Sequence, residues 1–314
     1  MRFGVVIGAP TRAEYLAEVR RAEELGYDVV LCSDHLHLNG RHFSHFAPIP
    51  ALTAAALSTE RIRVGTSVLN QDLRHPAVLA REAATLDVLS DGRLELGLGA
   101  GWNEPEYEMA GLPFDPIGLR ARRFAEYVQV VKGVIATPSF SFDGEFFTID
   151  HMPGEPPPVQ EPCPPIMIGA TGPRLLALAA READIVSVNM LRSPDPSEAA
   201  FAERIGWVRE AAPDRFGALE LQLPLAATLP SRGSAAGAVS AAVAAGDPFV
   251  SMLVGKFGLE AVAGSPMVLA GSTAQMAEKL ARLRDEYGVG SVMIPNPQID
   301  ALAPLIPLLK ETAA

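Results

Sequence analysis

An aspartate followed directly by a histidine, Asp34-His35, is the pair of residues in this 314-residue sequence best suited to chemistry. An imidazole exchanges protons near neutrality and a neighbouring carboxylate can orient it, so the pair suits proton transfer to or from a reacting group. A hydrogen-bonded structural pair would have the same sequence. Gly169-Ala170-Thr171-Gly172, followed by Arg174, is a second candidate. A short Gly-x-x-Gly turn before a helix presents backbone N–H groups and the helix N-terminus to a phosphate, and Arg174 adds a guanidinium. Glycines used only to turn tightly would read alike.

Other signals are weaker. Gly97, Gly99 and Gly101 resemble half of a dinucleotide fingerprint, but the next glycine and the later acidic residue are missing at the expected spacing. Trp102 and the Phe146-Phe147 pair suit either an apolar pocket or core packing. His37, His42 and His45 lie in one loop at spacings that match no standard ligand pattern, so they read as solvated or substrate-facing and no metal site is expected. Cys32 and Cys163 are far apart with no CxxC spacing, which points to free thiols.

The elements that must position these groups alternate between strand-like and helix-like patterns, as βα units of a parallel sheet do. Strands are expected at Phe3 to Ile7, Tyr27 to Cys32, Arg63 to Leu69, Leu94 to Leu98, Pro165 to Gly169, Ile185 to Val188, Leu221 to Ala226 and Ser291 to Pro295. Thr11 and Ser272 are suited to cap helices, and Pro76 suits a first helical turn. Eight units imply a (β/α)8 TIM barrel, with residues 1–314 as one domain carrying insertion loops. In such barrels catalytic residues stand at the C-terminal strand ends. Asp34-His35, Ser67 to Asn70, Gly99 to Trp102, Gly169 to Arg174 and Asn189 all fall there. The Pro-rich 153–165 connection and the Gly/Ala-rich 230–270 stretch break the pattern; both are expected to be functional loops that receive the substrate.

Composition bounds the partners. With 48% hydrophobic and 20% charged residues the chain reads as a globular enzyme. A formal charge of −11 disfavours nucleic acid. The absence of a membrane-length apolar run and of a signal-like N-terminus makes a cytoplasmic protein acting on a small molecule the expectation.

Taken together, these strand ends resemble the bacterial luciferase-like monooxygenase superfamily, most closely the branch that uses the deazaflavin coenzyme F420 (an 8-hydroxy-5-deazaflavin). The resemblance runs through Phe3-Gly4-Val5, Ser33-Asp34-His35, Val64 to Leu69, Arg93 to Trp102 and Pro165 to Asp184. It implies that Asp34 and His35 lie against the ring system, with His35 exchanging the proton. It also implies a non-prolyl cis peptide at Ser67-Val68 supporting one face of the ring. Asn70, Ala100 and Gly101 would contact the ring and ribityl chain, Gly169, Ala170, Thr171, Gly172, Arg174 and Asn189 the phosphate end, and Trp102 and His37 the substrate. A homodimer is implied as well.

Two departures qualify the resemblance. Relatives acting on sugar phosphates carry a glutamate where this chain has Gly101-Trp102, which argues against that substrate. The usual Ala-Asp-Gly before strand six reads Ala183-Asp184-Ile185, which weakens the expected phosphate contacts near Asn189. The activity implied is hydride transfer between deazaflavin C5 and an electrophilic C=C, C=N or C=O carbon. One alternative is an FMN-dependent monooxygenase on the same scaffold. Another is a flavin-binding barrel without catalysis, for which His35→Ala would leave turnover unchanged.

Overall fold

The structure, a computed structural model, describes residues 1–37, 46–295 and 298–310. Strands β1 (Arg2–Val6), β2 (Val29–Cys32), β3 (Arg63–Thr66) and β5 (Leu94–Gly99) are largely apolar, as expected of strands covered on both faces. A two-residue β4 (Leu69–Asn70) continues the path of β3. A hairpin of β6 (Ser139–Asp143) and β7 (Thr148–Pro153) precedes β8 (Ile166–Ala170), β9 (Ile185–Val188) and β10 (Glu220–Pro224). Strands β11 (Ala227–Pro230) and β12 (Val268–Gly271) form a separate parallel pair, and β13 (Val289–Pro295) returns to the main sheet.

The main sheet runs β3-β2-β1-β13-β10-β9-β8-β5-β4, and a β3–β5 pairing closes it into an eight-stranded parallel barrel. Around it stand α1 (Arg12–Glu24), α2 (Pro48–Leu57), α3 (Pro76–Leu89), α4 (Glu104–Ala110), α5 (Ile117–Ala136), α6 (Pro173–Glu182) and α7 (Glu198–Ala211). Helices α8 (Ala235–Ala244), α9 (Pro248–Phe257) and α10 (Leu259–Gly264) fill the insertion, followed by α11 (Thr273–Tyr287), α12 (Ile299–Leu302) and α13 (Leu305–Lys310). Thr11 accepts the Glu14 N–H and Ser272 forms a capping box with Gln275, so the expected caps are present. Among the described residues no single helix is long and apolar enough to cross a membrane.

Charge closes the N-terminal end of the barrel. Glu95, 4% exposed, receives Arg2 from β1 and Arg63 from β3, the latter at 2.6 Å, while Arg2 also reaches Glu220 of β10 at 2.8 Å. Buried carboxylates need such partners, and these also tie four strands together.

Two sequence expectations change here. The 153–165 connection does not lie at the substrate end. It runs under the barrel floor, where the Val159 and Gln160 N–H groups donate to Asp87 at 2.7 and 3.0 Å and the Gln160 amide donates to Leu94 O at 2.8 Å. The reason is connectivity: the chain must return from the hairpin to the start of β8. The 230–270 stretch is not an irregular loop. Its Ala-rich runs form α8 to α10, and it packs on the segment after β9 through Ser265 Oγ to Pro196 O at 2.7 Å and Lys256 Nζ to Ser193 O at 3.4 Å. It therefore remains on the side where β10 ends.

Candidate active site

At the end of β2, Asp34 is 7% exposed and its carboxylate is fully engaged. Arg74 binds it through both terminal nitrogens, at 2.6 and 3.3 Å, and the Asn70 N–H donates to it at 3.0 Å. Asp34 thus fixes the strand end that carries Asn70. The Ser67–Val68 peptide between β3 and β4 is cis, as the resemblance implied. The Val68 side chain enters space left by two glycines: a Cβ on Gly99 would lie 2.5 Å from it, and one on Gly169 would lie 3.3 Å from it. Ser67 Oγ lies 3.3 Å from Met293 Sδ on β13.

His35 is partnered by a residue that sequence reasoning did not single out. Its Nδ1 lies 3.0 and 3.2 Å from the two carboxylate oxygens of Glu106, which is 4% exposed on α4 and also accepts the His37 N–H at 3.0 Å. A carboxylate accepts, so Nδ1 carries the proton and Nε2 is the nitrogen suited to exchange one with a substrate. The Trp102 ring meets the imidazole edge to face at 5.4 Å, and the Arg192 guanidinium lies 4.0 Å over the Trp102 indole. Glu106 stands among Glu104 and Glu108 in sequence. Only the start of α4 just beyond β5 could have marked it.

The same helix supplies Tyr107, whose hydroxyl lies 3.0 Å from Asn70 Oδ1 and 2.7 Å from Asp72. Burial, then the bond to Asp72, pushes this phenol well above the usual tyrosine range. Gly101 has φ +73°, and a Cβ there would lie 1.8 Å from the Tyr107 hydroxyl, so glycine is required. The Ala100 carbonyl accepts from Gln71 at 3.3 Å and Arg120 at 3.2 Å.

At the end of β8, Gly172 is the N-cap of α6 and supplies no side-chain cap; Pro173 has no N–H, so the first backbone donors of the helix are those of Arg174 and Leu175. Arg174 is exposed on that first turn, next to Gly118 of α5. Ala170 is buried, its carbonyl accepting the Asn189 N–H at 2.9 Å, while Thr171 is half-buried. The Asn189 side chain accepts from Leu191 N at 2.9 Å and so serves its own loop. His37 is exposed. His42 and His45 lie outside the described residues.

The structure therefore joins Asp34, Asn70, Gly101, Val68 and Gly169 into one contiguous wall and sets His35 with Trp102 and Glu106 beside it. The phosphate-side candidates gather separately at α6. Phe147 packs edge to face on His75 at 5.7 Å and Tyr127 at 6.0 Å, so the hairpin aromatic joins the helix layer. Asp184 sits at the start of β9 and accepts from Ile166 N at 2.9 Å. That is the opposite end of the strand from Asn189.

A parallel barrel whose polar groups converge at the C-terminal strand ends defines an enzyme-type (β/α)8 scaffold. The sequence profile of the luciferase-like monooxygenase family matches residues 1–245, and the chain belongs to that family. It is 38% identical over 179 residues to a protein from Beutenbergia cavernae named F420-dependent glucose-6-phosphate dehydrogenase, a match covering 54% of this chain and 51% of that one. The chain spans about half the length of the curated relatives it matches. Two solved structures share the fold. One is an F420-dependent secondary alcohol dehydrogenase in complex with an F420-acetone adduct, with TM-score 0.78, 20% identity and 98% coverage of both chains. The other is the monooxygenase RslO1 from Streptomyces bottropensis, with TM-score 0.76, 22% identity, and 99% of this chain and 98% of that one covered.

Proposed function

We propose that this protein is a coenzyme F420-dependent oxidoreductase that reduces an electrophilic C=C, C=N or C=O carbon of a small organic substrate or, in reverse, takes hydride from the C–H of the corresponding saturated compound. The observation that carries the reading is His35, held through Nδ1 by buried Glu106, beside a strand-end wall in which Gly99 and Gly169 admit the Val68 side chain and Gly101 admits the Tyr107 hydroxyl. The names of the relatives support the cofactor.

The residues present fit a deazaflavin. Val68 and Gly169 offer an apolar face to a flat ring, and Asn70 and Gly101 border it. Gly172 and Arg174, at the open first turn of α6, offer donors to a phosphate. When bound, the deazaflavin supplies hydride chemistry at C5. His35 delivers or removes the balancing proton through Nε2, and Glu106 stabilises the imidazolium formed on the way. Asp34 acts by holding Asn70 and the strand end in place. Trp102 narrows the approach to His35 and, with His37, borders the substrate. This arrangement carries no carboxylate at position 102, so a sugar-phosphate substrate is disfavoured.

Equilibrium titration of the purified protein with coenzyme F420 and with FMN tests the cofactor. Binding of F420 in preference to FMN is expected. Tight FMN binding with no uptake of F420 would instead support the second reading, an FMN-dependent monooxygenase on the same scaffold. A cytoplasmic homodimer completes the proposal. Its contact is placed on α2 and α3, where Leu57, Val78 and Leu89 are 70%, 54% and 44% exposed. Light scattering should give twice the chain mass, and a monomer at micromolar concentration rules the dimer out.

A further inference from the structure

We infer that Arg192 and Trp102 form an anion clamp beside His35, so that the substrate of this site carries a carboxylate or phosphate group. The inference rests on the oxidoreductase reading for its meaning but on separate observations for its chemistry.

Arg192 follows β9, and its guanidinium carbon lies 4.0 Å over the indole that packs against His35. Among the described residues it makes no hydrogen bond and no ion pair. Other arginines of this chain behave differently: Arg2, Arg63, Arg74, Arg123 and Arg282 each bind a carboxylate. The charge that acts on Arg192 is Arg120, which has the same sign. Arg120 in turn donates to the backbone carbonyls of Asp115, Ala100 and Gly101 and, among the described residues, to no carboxylate. Of the residues outside the described set, 38–45 and 296–297 contain no acidic side chain and 311–314 contain one, Glu311. Among the described residues, a protein of net charge −11 thus sets two guanidinium groups without a carboxylate partner beside its site, Arg120 buried against backbone carbonyls and Arg192 over the indole.

The segment bearing Arg192 is held on both sides. Leu191 N donates to Asn189 Oδ1, and Ser193 Oγ accepts from Arg204 at 2.9 Å while Ser193 O accepts from Lys256. Burial of the guanidinium against the ring and repulsion from Arg120 lower the Arg192 pKa, a cost that a bound anion relieves. An arginine stacked on an aromatic face keeps its edge donors for a bidentate acceptor. The phosphate of the cofactor is a second source of such an acceptor. Contact with His35 through Trp102 places the clamp at the reacting end, whereas α6 and Arg174 serve the other end.

The test uses the F420-loaded protein and its Arg192→Gln and Arg192→Lys variants, with inorganic phosphate and cinnamate as anionic probes and cinnamamide as the neutral match. Binding is read from tryptophan fluorescence and deazaflavin absorbance. Arg192→Gln should weaken phosphate or cinnamate about tenfold or more, as expected for losing one charge-assisted contact. Cinnamamide and F420 affinity should stay unchanged, and Arg192→Lys should recover part of the loss. Failure of the wild type to bind either anion, or equal anion binding by Arg192→Gln, overturns the clamp. A variant that loses F420 affinity while retaining that of the phosphate-free deazaflavin riboside assigns Arg192 to the cofactor and overturns the substrate assignment. Should the wild type take up no F420, the cofactor reading fails by itself, and the same anion titrations on the protein alone still decide the clamp.

Discussion

Glu106→Gln is expected to lower kcat by on the order of a hundredfold or more, the usual worth of a positioned proton-transfer group, with little change in F420 affinity. The carboxylate holds His35 Nδ1 through both oxygens and receives the His37 N–H, so glutamine keeps an acceptor for that backbone group but removes the negative charge facing the imidazole. The loss therefore concentrates on the step that makes or consumes imidazolium. Steady-state turnover of whichever activated alkene, imine or carbonyl the wild type reduces would show it as a fall in kcat at nearly constant KM. A variant as active as the wild type would mean that the dyad is structural. A large drop in melting temperature would mean that Glu106 acts through folding.

The second large effect lies inside the sheet. Gly97→Ala should destabilise the protein by roughly 3 kcal/mol, or about 5–10 °C in Tm, and is expected to reduce the yield of folded chain. The new methyl group would stand 1.9 Å from the Thr66 carbonyl oxygen and 2.6 Å from Met167 Cε. Met167 can swing away. The carbonyl cannot, because it is main chain at the end of β3, and the Thr66 hydroxyl is locked to the Gly97 N–H and C=O at 2.8 Å each. Insertion of a methyl must part β3 from β5, where the barrel closes. Gly172→Ala serves as the control, since nothing lies within 4 Å of where its methyl group would stand and its φ is −95°. Equal melting curves for both variants would refute the close-approach argument.

Much of this fold was legible because strands buried on both faces leave continuous apolar runs, and Thr11, Pro76 and Ser272 announce their helices. The break between Thr66 and Leu69 was legible only through family resemblance, since Ser67-Val68 reads as ordinary strand. Glu106 was not legible. Its pairing with His35 spans 71 positions and depends on how α4 leaves β5, which no local pattern encodes. The 139–153 hairpin was missed for a related reason: its strands are exposed or half-buried apart from Ile149, a pattern weaker than that of the barrel strands. Arg192 escaped notice because its significance is the lack of an anionic partner among the described residues, and sequence does not say which charges go unpaired.

The charged floor of Arg2, Arg63, Glu95 and Glu220 divides the molecule into two territories for evolution and engineering. Its four strands are pinned at their starts by contacts that involve no residue of the mouth. Sequence can therefore drift at one end while the other is conserved for shape. A library randomised over Trp102, Arg192 and the α8–α10 insertion would explore new substrates on a chassis whose integrity is set at the opposite ends of the strands.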